Sequence, residues 1–203
     1  MNLELEHRLP GEVFLEMLEE TAGHLERATY VDEWLGPRRR LPVFDVAPLR
    51  DFAIQPANRR RLTELLVSYV KVRSGSFWER SGGRWRRRRY SELDPVDLAE
   101  LGAFGRLGDL ALFLSGVFPE HAAANALEPR TLARLARALE AQPGELARTR
   151  EAFWLLEWVG RAAYTRAGET HLAADFHVAR RLLNVLTGRH LFAHREQWFA
   201  GPG

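Results

Sequence analysis

A single carboxylate, Asp109, interrupts the apolar segment LGDLALFLSGVFPEH and is the first candidate for chemistry. It could cap the helix that follows it, because an aspartate there accepts a hydrogen bond from an otherwise unpartnered backbone N–H. It could also form a buried ion pair, since an unpaired buried charge is very costly. A catalytic role is the third alternative, but no second carboxylate or nucleophile stands directly beside it. The candidate arginine partners are Arg161, Arg180 and Arg181. The segment therefore favours a structural role for Asp109 in a polar core.

Histidine pairs form the second candidate group. His171 and Asp175 are four residues apart, as are His190 and His194, and residues at that spacing share one face of a helix. Zinc and iron sites use such pairs, but the chain has no His-Glu-x-x-His motif and no Glu-x-x-His repeated on two helices. It also has no glycine-rich phosphate-binding loop. We therefore predict no metal and no cofactor. An enzyme of unrecognised type, using Asp109 or the His171/Asp175 pair, stays open as one alternative.

The stretch RSGGRWRRRRY combines six arginines with two aromatic residues. Arginines neutralise phosphates, and aromatic rings can stack on exposed bases, so this stretch could bind nucleic acid. Two further triplets, in GPRRRL and NRRRL, add to the basic charge. The alternative is a solvated face that pairs with acidic surfaces of the same protein or of a partner. The predicted polyanion-binding or partner-binding residues are Arg84, Trp85, Arg86, Arg87, Arg88, Arg89 and Tyr90.

Charge is distributed unevenly along the 203 residues, although the net charge is only +2. Residues 1–36 hold nine acidic side chains against two arginines, whereas residues 37–90 hold fifteen basic side chains against four acids. The absence of cysteine excludes disulfides, thiolate zinc sites and cysteine nucleophiles. The first 20 residues have no basic start followed by an apolar run, and no apolar run of roughly 20 residues is present, so we expect no signal peptide and a cytoplasmic protein that does not engage a membrane.

Most of the chain has the apolar periodicity of amphipathic helices. The segments with this pattern are 11–26, 58–72, 93–104, 110–118, 128–141, 144–168 and 170–188. Four prolines between residues 36 and 56 exclude a single helix there and indicate an extended strap. Ser81-Gly82-Gly83, between two short aromatic runs, indicates a β-hairpin near 76–90.

These elements predict an all-α fold, a single-domain helical bundle with a small basic β-hairpin and an N-terminal helical arm. The acidic arm covers residues 1–35 and the Pro-rich strap covers 36–56. The helical core then occupies 57–203, within one domain of 1–203.

The segment GDLALFLSGVFPE, with the pattern GD-x-ALF-x-SG-x-FP, resembles the central part of a group of bacterial helical proteins for which no activity is known. The likeness extends loosely to VGRAAYTRAG and LAADFHVARRLLNVL. It implies a helical fold and transfers no site residue.

Three functions are compatible with these features. The first is a non-catalytic binding protein that acts through self-association or association with a partner protein. The second is DNA or RNA binding through the arginine-rich hairpin, and the third is the enzyme described above. An apolar patch beside the charged segments would favour association, whereas convergence of the basic clusters on one face would favour nucleic acid. A pocket lined by Asp109 or the histidines would favour an enzyme.

Overall fold

The computed structural model describes residues 9–36, 39–70, 76–81, 84–89, 95–120, 129–140 and 152–199. The chain is mostly helical, as the sequence predicts. The helices are α1 (Pro10–Arg27), α2 (Ala47–Ile54), α3 (Pro56–Tyr69), α4 (Pro95–Glu100), α5 (Phe104–Val117), α6 (Pro129–Ala138), α7 (Ala152–Arg166), α8 (Thr170–Ala174), α9 (Phe176–Leu186) and α10 (Arg195–Trp198). A π-helical turn (Thr187–Leu191) follows α9 directly.

Four strands form two antiparallel hairpins. The strands are β1 (Val31–Gly36), β2 (Arg39–Val43), β3 (Ser76–Ser81) and β4 (Arg84–Arg89). The β3–β4 hairpin lies where the Ser-Gly-Gly signal predicts it, with Ser81 paired to Arg84. The β1–β2 hairpin occupies the end of the predicted helical arm and the start of the predicted strap, and was not expected from the sequence.

The prediction of an extended strap over 36–56 is wrong for its second half, because residues 47–54 form α2. Pro48 lies in the first turn of α2 and Pro56 is the first residue of α3. At these positions a helix does not use the backbone N–H that proline lacks, so prolines there start helices instead of preventing them.

The acidic N-terminal helix packs into the hydrophobic core. Phe14, Leu18 and Leu25 of α1 are fully buried, as the periodicity of the sequence predicts. The ring of Phe14 lies 5.7 Å from that of Phe199 and 5.2 Å from that of Trp198, between ring centroids. Both ends of the described chain therefore meet in one aromatic cluster.

Helix α5 crosses the middle of the molecule. Leu112 and Phe113 belong to a core shared with α1, α2, α3 and α9, while Leu107 belongs to a second core formed with α4, α6 and α7. The sequence led us to expect a helix end near Phe104 and a new start at Asp109. That expectation is wrong, because α5 is continuous from Phe104 to Val117.

Glycines allow α5 and α7 to approach closely. A Cβ atom placed on Gly108 would lie 2.5 Å from the ring of Tyr164, and one on Gly160 would clash with the ring of Phe176. Both glycines therefore serve interhelical packing, which leaves no sequence signature of its own.

We expect Gly108→Ala to destabilise the protein by about 1–3 kcal/mol, because the added methyl group overpacks against Tyr164. Gly23→Ala is the matched control, since Gly23 lies inside α1 with no atom within 4 Å of the added carbon. Alanine there should stabilise the protein by about 0.5–1 kcal/mol through helix propensity. Urea unfolding measures both effects, and a Gly108→Ala protein as stable as the wild type would contradict this account of the packing.

Candidate functional site

Asp109 forms a buried ion pair inside α5. The residue is 7 % exposed. Its Oδ1 accepts a hydrogen bond from Nη2 of Arg61 at 2.5 Å and another from the hydroxyl of Tyr164 at 2.7 Å. The buried-pair alternative is therefore correct, and the capping alternative is wrong, because the residue lies five positions after the start of α5. The partner is none of the three arginines that the sequence suggested.

Arg61 joins this pair to a second carboxylate. Its Nε and Nη2 lie 3.3 and 3.1 Å from Oε2 of Glu169. Burial alone would lower the pKa of Arg61, but the attraction of Asp109 raises it overall. Burial raises the pKa of the Tyr164 hydroxyl, and the charge of Asp109 raises it further. Arg61 therefore remains charged and Tyr164 remains a neutral hydrogen-bond donor at neutral pH. We call the group of Asp109, Arg61, Tyr164 and Glu169 the structural lock.

The His171/Asp175 pair is also held by neighbouring side chains. Nδ1 of His171 lies 3.3 Å from Oδ2 of Asp175, and Nε2 lies 3.1 Å from Oδ1 of Asn58. Asn58 precedes Arg61 by three residues on α3, so one helix supports both polar clusters. Within the described ranges, no group of three or more His, Asp or Glu side chains is arranged to hold a metal ion.

Two grooves of about 420 and 440 Å³ lie on the described surface. The first runs between α7 and α8, beside Trp158 and Arg161. Neither groove is lined by Asp109, His171 or Asp175. The residues considered for an enzyme are therefore brought together at neither of these two grooves.

The basic triplet of α3 is used mainly inside the protein. Nη1 of Arg59 donates to the carbonyl oxygens of Ala53 and Ile54, at 2.7 and 2.8 Å, and so caps the end of α2. Arg61 is held by Asp109. Only Arg60 of this triplet is exposed to solvent. The triplet consequently adds little to a basic surface.

The register of the β3–β4 hairpin groups the predicted binding residues. Trp78 pairs with Arg87, and Arg80 pairs with Trp85. Residues two apart share a face of a strand, so these four and Arg89 occupy positions on one face of the hairpin. Arg84, Arg86 and Arg88 occupy positions on the other face, and Tyr90 lies outside the described residues.

Exposed aromatic residues lie at the open end of the β1–β2 hairpin, and sequence reasoning missed them. Phe44 is 73 % exposed and Tyr30 is 51 % exposed, yet their ring centroids are 6.0 Å apart. Beside them runs the second groove, whose lining includes Arg27, Arg40 and Arg189 together with Tyr30. We call Tyr30, Phe44, Arg27, Arg40 and Arg189 the aromatic–arginine face.

Each edge of the β1–β2 hairpin carries one feature that opposes the addition of a further strand. Oδ1 of Asn184 accepts the backbone N–H of Trp34 at 2.6 Å, and Nδ2 donates to the Trp34 carbonyl at 3.1 Å. The backbone groups of Trp34, and of Asp32 two residues earlier, therefore point away from β2. Pro42 pairs with Asp32, so its nitrogen faces the outer edge of β2 and offers no N–H there. These two features favour binding through side chains at this face.

Comparison with protein-family models, with curated proteins and with solved structures finds no match to this chain. Among the described helices, none is both long and apolar enough to cross a membrane.

The structural lock predicts a measurable coupling between Arg61 and Asp109. Asp109→Asn should destabilise by about 1–3 kcal/mol, and Arg61→Met by a similar amount, because each leaves a polar partner unsatisfied. The double variant should lose less than the sum of the two, by about 0.5–3 kcal/mol. Chemical denaturation of the four proteins measures this coupling, and strictly additive losses would contradict the lock.

Proposed function

We propose that this chain is a non-catalytic binding protein that acts by associating with a second copy of itself through the aromatic–arginine face. The observation that carries the proposal is the contact between Tyr30 and Phe44, two largely exposed rings, beside arginines. Aromatic residues and arginine are the types enriched in protein interfaces and in their energetic hot spots. Exposed apolar residues that cluster, unlike single ones, mark interaction sites.

The same chain carries a surface of opposite charge. Glu12, Glu19 and Glu20 are exposed on α1, in the acidic part of the sequence. Arg27 and Arg189 make no ion pair with any described residue, so they have no internal competitor for a carboxylate from outside. Charge complementarity therefore favours the acidic side of α1 in a second copy as the counterpart.

The ends of α1 make a symmetric arrangement possible. An 18-residue helix is about 27 Å long, with Glu12 near one end and Arg27 in the last turn. A two-fold axis across the middle of α1 would bring the acidic end of each copy to the basic end of the other. The contact between an acidic end and a basic end would then form twice, as an isologous dimer requires.

The apolar part of this proposal is tested with Phe44→Ser. We expect the wild type to dimerise in sedimentation equilibrium at low salt and the variant to be monomeric with unchanged stability, because Phe44 is 73 % exposed. The matched control is Leu101→Ser, since Leu101 is half-exposed near the end of α4, away from the face. A wild type that stays monomeric, or a dimer equally weakened by both variants, would contradict the proposal.

The electrostatic part of this proposal is tested with variants that reverse the charge of one surface or the other. Arg27→Glu combined with Arg189→Glu should abolish the dimer, and so should Glu12→Arg combined with Glu19→Arg, because each places like charges opposite one another. Mixing the two variant proteins should restore association, detected as a heterodimer by native mass spectrometry. Failure of the mixture to associate while the wild type dimerises would exclude α1 as the counterpart.

A second candidate function, nucleic-acid binding, is supported by the register of the β3–β4 hairpin. Trp78 and Trp85 share one face with three arginines, and this combination of stacking and phosphate-binding residues suits a single strand.

Replacing Arg84, Arg86, Arg87, Arg88 and Arg89 with serine should abolish retention on heparin and binding to DNA or RNA, if the hairpin is the binding site. Trp85→Ala should weaken binding to a single strand more than to a duplex, because only unpaired bases expose their faces. Fluorescence anisotropy with labelled oligonucleotides measures both effects. A wild type that ignores DNA and RNA at low salt would rule out this second function.

A further inference from the structure

The groove beside the aromatic–arginine face carries an unbalanced positive charge. It has a volume of about 440 Å³, within the range of about 300–1,000 Å³ that small-molecule sites occupy. The last turn of α1, strand β1 and the π-helical turn form its walls. Its charged and aromatic lining includes His24, Arg27, Tyr30, Asp32, Arg40 and Arg189.

Three arginines and one aspartate line this groove. Arg27 and Arg189 have no ion pair with any described residue, and Arg40 lies over the ring of Trp34 at 5.2 Å from its centroid. With Asp32 as the acidic group of the lining, the groove carries a charge of +2 when His24 is neutral. Like charges held together on a concave surface repel one another, and a bound anion relieves that repulsion.

The negative end of α1 does not offset this charge. Nε of Arg50 donates to the carbonyl oxygen of Leu25 at 2.7 Å, and its Nη2 donates to that of Ala28 at 2.6 Å. These carbonyl groups belong to the C-terminal end of the helix, where the dipole would otherwise repel an anion. Because Arg50 binds these carbonyl groups, the end of the helix offsets little of the positive charge of the groove arginines.

His24 lines the groove, and its pKa depends on the charges of the arginines there. Burial lowers its pKa first, and the charges of Arg189 and Arg27 lower it further. The two arginines belong to elements far apart in sequence, yet both act on the same imidazole. Their fields therefore converge at one place in the groove.

We propose that this groove binds a small molecule that carries a phosphate group. A phosphate monoester has a charge of about −1.5 to −2 at pH 7, which matches the groove better than a single carboxylate would. Arginine forks bind phosphate oxygens in a bidentate way. The ring of Trp34 already has Arg40 and Arg195 near its face, at 5.2 and 5.6 Å, so Tyr30 is the aromatic ring left for the rest of the ligand. A single copy of the chain supplies the whole groove, so this proposal does not depend on self-association, and a phosphate bound there would compete with a second copy for Arg27 and Arg189.

The test follows the imidazole resonances of His24 by NMR during a pH titration, in the Phe44→Ser variant so that dimerisation does not interfere. Inorganic phosphate and AMP should each raise the pKa of His24, because a bound anion stabilises the imidazolium. Adenosine should leave it unchanged, and sodium chloride at the same ionic strength should produce only the smaller rise that screening of the arginine charges causes. A larger effect of AMP than of phosphate would identify a nucleotide, and equal effects would identify phosphate itself.

Variants make the test specific to the groove. Arg27→Gln combined with Arg189→Gln should raise the pKa of His24 without ligand and abolish the response to phosphate. Arg60→Gln removes an exposed arginine from α3, outside the groove, and should retain the full response. The proposal is overturned if phosphate and AMP leave His24 unchanged, if chloride or adenosine reproduces the shift, or if the double variant still responds.

Discussion

The guanidinium group of Arg180 is fully buried, and much of the fold follows from the need to neutralise it. Moving an unpaired charge of this size out of water costs several kcal/mol, so the folded state requires anionic partners in place. Glu33 of β1 accepts from its Nη2 at 2.5 Å, and Glu157 of α7 accepts from its Nε at 3.0 Å. Arg181 binds the other oxygen of Glu33 at 3.1 Å. Three elements far apart in sequence are therefore joined at one point.

The ion pairs of Arg180 with Glu33 and Glu157 determine where the aromatic–arginine face lies. Glu33 anchors β1 against α9, and Asn184, one turn further along α9, binds both backbone groups of Trp34. The hairpin cannot slide along α9 without breaking these contacts. Tyr30 and Phe44 are consequently held at its open end, and the groove between β1 and the π-helical turn keeps its arginines close together. The buried ion pairs of Arg180 therefore position the exposed aromatic–arginine face.

The structural lock shows which contacts of Asp109 could be predicted from the sequence and which could not. An isolated carboxylate in an apolar segment indicates either a helix cap or a buried pair, because burial without a partner is too costly, and the structure shows the buried pair. The identity of the partner was not accessible, since Arg61 is 48 residues away and was one of three consecutive arginines. The expected helix start at Asp109 was wrong for a related reason. A glycine in an apolar stretch can end a helix or admit a neighbouring ring, and only the position of Tyr164 distinguishes these cases.

The sequence by itself determined the mostly helical fold, the buried stripe of α1 and the β3–β4 hairpin, because these depend on periodicity and turn residues within a few positions. It did not determine the β1–β2 hairpin, the partners of Asp109 and Arg180, or the meeting of Arg27 with Arg189. Those depend on which helix faces lie against one another, and local patterns leave that choice open. Packing decides it, because the buried charges and the glycine contacts can all be satisfied only when α5, α7 and α9 lie together as they do.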